Sequence, residues 1–200
     1  MAPLLRWPLL ALLLAAAPLG AQAPAPPPDS AWQEITAAGV FRASATVDSV
    51  YIDRQLPTAR VEGGDLAAYL MARLGLRQFP DTFGFRVQVD TAQIRLAGRL
   101  GQLPPEARRA LAQGLLLLPP ETELEARVQL VPAGPIAVRF HLAEARINGI
   151  PIPETFLSPL LAGVGRQYPE LTASGRDLFI QVPEGAVMRL EPGGVRLTGP

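Results

Sequence analysis

The sequence predicts an α+β fold: a curved, mostly antiparallel sheet built from repeated strand-strand-helix units, with about eight strands and three short helices on the apolar face. Three observations lead there. A short pattern, apolar-Arg-apolar-any-Gly, recurs at Arg60, Arg95, Arg146 and Arg196. Each copy ends a stretch in which apolar and polar residues alternate, so that successive side chains face opposite sides of a sheet. After each of the first three copies a helix signal follows.

Taken in order, Ser30 and Gln33 stand at capping-box spacing and predict a short helix over 30–38. Gly64-Asp65 precedes "LAAYLMARLG", where Asp65 is placed to cap exposed amides and Gly75 to end the helix. Phe83, Phe85, Val87 and Val89 share one face of a strand, and Ile94 and Leu96 continue the pattern after the short link "DTA". Pro104-Pro105 precedes a second helix, "EARRALAQG", with proline where its missing amide hydrogen costs nothing. Leu124, Ala126, Val128 and Leu130 form one strand face; Ile136, Val138, Phe140 and Leu142 form the next. The phase then shifts so that Ala145 and Ile147 continue that face, which predicts a bulge near Ala143. Pro151 to Pro153 lead into a third helix, "ETFLSPLLAGVG", which Pro159 should kink or split. "DLFIQV" and "AVMRLEPGGVRL" supply the closing strands, and the links "DTA", "PAG" and "PEGA" are too short for parallel crossovers.

The ends bound where such a chain works. Residues 1–23 read as a signal peptide: Arg6, an apolar run from Trp7 to Leu19, then Ala21-Gln22-Ala23 fitting a small-residue cleavage site. Cleavage after Ala23 is expected rather than a retained anchor, because the run is shorter than a bilayer span and carries Pro8 and Pro18. Residues 24–30 form a proline-rich linker, and residues 31–200 a single α+β domain with internal repeats.

Composition excludes several chemistries. The 18 basic residues, all arginine, balance 18 acidic ones, leaving no basic stripe for nucleic acid. The absence of cysteine removes disulfides, thiol catalysis, thiolate metal sites and a lipoprotein anchor together. Export without disulfides points to a bacterial periplasm or cell envelope. His141, the one histidine, alternates with Arg139 on a polar strand face and reads as a solvated residue, so neither a metal site nor a catalytic triad is expected. Gly63-Gly64-Asp65 matches part of a cyclic-dinucleotide-synthase signature, but Leu66 stands where a second acid is needed. Glu121, Glu123 and Glu125 read as a solvated strand face, and Arg108 and Arg109 as exposed residues near a helix start. No catalytic, cofactor or metal residue is assigned, and no enzymatic activity is expected.

A length mismatch carries the functional expectation. Pro135 to Ile147 extends about 43 Å as a strand, whereas an eleven-residue helix spans only about 16 Å. Long strands around short apolar helices leave an elongated groove, which Tyr69, Leu70, Leu74, Phe156, Leu157, Leu160, Leu161 and Val164 are predicted to line. Ordinary core packing is the competing account of the same apolar stripes.

The succession of "GGDLAAYLMARLG", paired amphipathic strands, "ARINGIPIPETFLSPLL" and "VPEGAVMRLEPGGVRLTG" resembles exported bacterial envelope proteins of the TULIP-like lipid-binding group, its small actinobacterial phospholipid-binding branch especially. The resemblance covers most of residues 40–199 and rests on element order, the Gly-Ile-Pro-x-Pro approach to the last helix and the terminal strand pair. It implies non-catalytic binding of lipid on the apolar concave side of a curved sheet. No ligand residue transfers by motif. The expected function is therefore an exported, non-catalytic protein that binds a lipid or another elongated apolar molecule, with peripheral membrane contact. The alternative is an envelope scaffold that docks another protein through an exposed sheet edge or apolar patch.

Overall fold

The computed structural model describes residues 31–75, 82–103 and 118–200. In chain order these form β1 (Gln33–Thr36), α1 (Ala37–Val47), β2 (Thr58–Glu62), α2 (Gly63–Arg73), β3 (Thr82–Val89), β4 (Ile94–Arg99), β5 (Glu123–Pro132), β6 (Ala137–Ile147), β7 (Ile150–Pro151), α3 (Glu154–Gln167), β8 (Asp177–Gln181), β9 (Val187–Glu191) and β10 (Gly194–Thr198). The α+β class, the antiparallel pairing and the open, curved sheet agree with the sequence reading. The strands, however, divide between two sheets, which periodicity alone did not separate. Seven strands run in the order β1-β3-β4-β5-β6, with β7 and β8 sharing the far edge of β6; β2-β10-β9 form a second, smaller sheet. The two sheets join at Gly193, whose amide donates to Val89 O (2.9 Å) and whose carbonyl accepts from Gly63 N (2.9 Å).

All four arginine segments lie on strands: Arg60 on β2, Arg95 on β4, Arg146 on β6 and Arg196 on β10. Their neighbours face inward, with Val61, Ile94, Val195 and Leu197 buried. The guanidinium groups lie on the outer faces. Arg95 bonds Gln88 and stacks 5.5 Å from the Trp32 ring, and Arg60 and Arg196 are directly opposed across β2 and β10. The β5–β6 register shifts where Arg127 meets Glu144 and Val128 meets Leu142, so Ala143 is the extra residue of the expected bulge.

Four local expectations are corrected. Residues 33–36 are strand β1, not part of a helix over 30–38; the helix begins at Ala37 with Thr36 as its cap, the Thr36 hydroxyl accepting from Gly39 N at 3.2 Å. Pairing with β3 prevails over local capping chemistry. Asp65 does not cap α2, which starts at Gly63; the Gln33 side chain accepts from Gly64 N (2.8 Å), while Asp65 binds Arg42 of α1 through two bonds of 2.8 and 2.6 Å. Buried Gly39, Ala43 and Ala68 bring α1 and α2 together. "PEGA" does not join a hairpin: β8 pairs with β6 and β9 with β10, so the chain crosses there from one sheet to the other. Pro159 does not split α3, which continues from Glu154 to Gln167. The helix expected over "EARRALAQG", with Arg108 and Arg109, lies outside the described residues, as do the segments expected to be a signal peptide and a linker.

α3 is held from one side. Arg176 donates to Leu142 O (3.2 Å) and Ala143 O (3.5 Å) at the bulge and to Glu154 in the first turn of the helix. Ser158 donates to the same Glu154 carboxylate at 2.6 Å; that hydrogen bond, then Arg176, holds the carboxyl below its ordinary range. Gly175 lets the 172–176 loop cross the helix: its φ is +69°, and a Cβ there would lie 1.9 Å from Leu161 O.

Gly175→Ala is therefore expected to destabilise the fold by about 3 kcal/mol, through left-handed backbone strain and overpacking together. Gly134→Ala (φ +107°, nothing within 4 Å) should cost only the strain. Urea unfolding midpoints check both. In the small sheet the Arg196 guanidinium holds the Glu191 carboxyl below its ordinary range. Because the folded value is depressed, that pair's contribution is present above the unfolded carboxylate range and lost as pH falls through the folded value. Glu191→Gln should flatten the acid limb of a Tm-against-pH profile and leave the neutral limb parallel to wild type.

Candidate ligand groove

The inner face of the large sheet is apolar by alternation. Phe83 and Phe85 come from β3, Leu96 from β4, Leu124 and Ala126 from β5, and Ala145 from β6. Ala126 and Ala145 are directly paired, so the floor is low where the flanking strands carry leucine and phenylalanine. α2 packs closely on β1 and β3 at one end of this face, whereas the backbone of α3 stands farther from the sheet and turns buried Leu157 and Leu161 toward the same cavity. The space between is a cavity of about 350 Å³. A second cavity of about 220 Å³ lies under α2, lined by Leu66, Leu70, Val89, Ile94, Phe140 and Leu178 among others. The two adjoin at Met71, Leu74, Leu96 and Leu171, which line both.

Of the residues predicted to line a groove, Leu157, Leu160, Leu161 and Val164 line the larger cavity, Leu70 the smaller and Leu74 both. Tyr69 and Phe156 line neither. Tyr69 packs, half-buried, against the core, and Phe156 is 71% exposed, one turn before Leu160 on the same stripe of α3. The floor residues from β3 to β6 were read only as a core face. Nothing in their alternation distinguishes a sheet face covered by a helix from one that a helix overhangs.

The lining offers little chemistry beyond apolar contact. Glu125 and Arg146 border the larger cavity, but they are a cross-strand pair whose side chains point to the opposite face by strand alternation. Arg176 borders the smaller cavity with its guanidinium engaged by Glu154 and the bulge carbonyls. His141 and Asp177 stand on the outer face, so His141 is not simply solvated: its Nδ1 lies 2.7 Å from Asp177 Oδ1, at the β6–β8 seam. Glu121 sits in the turn before β5, so it does not share a strand face with Glu123 and Glu125. Among the described residues no group of three or more potential ligands could hold a metal ion, and no helix is long and apolar enough to cross a membrane.

An apolar groove of this volume falls in the range of small-molecule sites. No protein-family model matches the chain, and no curated protein or solved structure matches it.

Proposed function

We propose that the chain is an exported, non-catalytic protein of the cell envelope that binds a lipid or other elongated apolar molecule in the groove between the large sheet and α2 and α3. The observation that carries this reading is the adjoining pair of cavities, walled by leucine, phenylalanine, methionine and alanine, between well-paired strands and a helix held off the sheet. The driving force is burial of ligand hydrocarbon, about 0.8 kcal/mol per methylene, so chain length governs affinity. Absence of ligand would leave an apolar hollow between otherwise close-packed elements, at a cost in lost dispersion contacts. The signal-like first 23 residues supply the envelope assignment.

Purification of the mature chain from an envelope extract, followed by mass spectrometry of organic-soluble material, is expected to recover a lipid at near-stoichiometric amount; a lipid-free chain would count against the groove. Ala126→Leu with Ala145→Leu should fill the floor of the larger cavity. Co-purified lipid is then expected to fall at least tenfold, while the ligand-free protein gains up to about 1 kcal/mol of stability, as filling a void does. Denaturant unfolding of delipidated samples measures the second effect.

A further inference from the structure

The geometry points to one end of the groove as a portal that seats on the surface of an electrically neutral lipid bilayer, an inference that rests on the groove being a lipid site. Two apolar tracks lead out of the larger cavity to the surface. On α3, Phe156, Leu160 and Val164 follow one another at four-residue spacing; the latter two line the cavity and Phe156 is 71% exposed. On the adjoining segment Ile152 lines the cavity and Ile150, two residues earlier, is 70% exposed. Asn148 (φ +48°) and Gly149 (φ +76°) form the tight hairpin that presents Ile150 opposite Ile147, and exposed Pro151 and Pro153 stiffen the link to α3. Water-facing isoleucine and phenylalanine thus stand where the ligand's path ends.

A bilayer fits this tip better than a protein does. The exposed apolar surface is two side chains on a hairpin and one helical turn, far below the roughly 800 Å² per partner that a stable protein interface buries. It suits shallow insertion at the headgroup–acyl boundary. Charge decides which bilayer. On the outer face beside the hairpin, Arg127 and Arg146 both pair with Glu144 (3.1 and 2.9 Å), Glu125 opposes Arg146, and Glu123 opposes Arg99. Three arginines meet three glutamates, so a zwitterionic surface suffices.

The test is transfer of pyrene-labelled phosphatidylcholine from phosphatidylcholine vesicles to the full mature chain, followed by stopped-flow fluorescence. Equilibrium affinity for a soluble apolar dye is measured in parallel. Ile150→Ser with Phe156→Ser is expected to slow transfer about tenfold and leave dye affinity unchanged, because neither residue lines the cavity. Phe41→Ser, at a 76% exposed position on α1, should transfer like wild type, and raising the salt concentration should not change the wild-type rate. Wild-type transfer by the double variant, equal loss in Phe41→Ser, or a steep fall with salt overturns the portal. Failure of the native chain to bind the dye overturns the groove reading itself, and the portal with it.

Discussion

A single extra residue in β6 determines what the large sheet can enclose. Side chains on a strand alternate, so without the bulge at Ala143 either Phe140 and Leu142 or Ala145 and Ile147 would have to face outward. The bulge keeps both sets inward along the full length of the strand. Beside it Arg176 bonds the Leu142 and Ala143 carbonyls while holding Glu154 at the start of α3. The irregularity that continues the apolar floor therefore also anchors the helix that overhangs it.

The placing of α3 rests on the loop packed against it. The 172–176 loop crosses the helix at Gly165 and Gly175, where a side chain would strike backbone within 2.4 Å, so the loop can approach α3 only because both positions lack one. Leu157 and Leu161 of the helix are buried, and with Leu160 and Val164 they line the cavity that Ala126 and Ala145 line from the sheet. Close packing on one face and a low floor on the other put the hollow where it is.

Much of the fold was legible because it depends on alternation and turn chemistry. The strand faces of Phe83 to Val89 and Leu124 to Leu130, the bulge at Ala143, the ending of α2 at Gly75 and the helix after Pro153 all follow from local rules. What was missed depends on partners distant in sequence. β1 is a strand because β3 pairs with it across some fifty residues, and α2 starts early because Gln33 reaches its first turn. β8 and β9 part company because β6 and β10 claim them. In the groove, the apolar stripe of α3 was readable, but that Phe156 stays outside the cavity while Leu160 lines it depends on how the helix sits against the sheet, which spacing does not encode. The Asn148-Gly149 dipeptide was a hairpin signal in plain sight, masked by the proline-rich stretch after it.

The small sheet has its own consequence for how the chain reaches this state. β10 is the middle strand, buried at Val195 and Leu197, and its neighbour β2 lies more than 130 residues earlier. A contact of that span forfeits loop-closure entropy before it returns any stability, so this sheet closes late. Until β10 is in place, Val61 has no neighbour strand and α1 and α2 have no complete backing. The inner faces of β2, α1 and α2 therefore gain their full cover only when this most distant pairing forms.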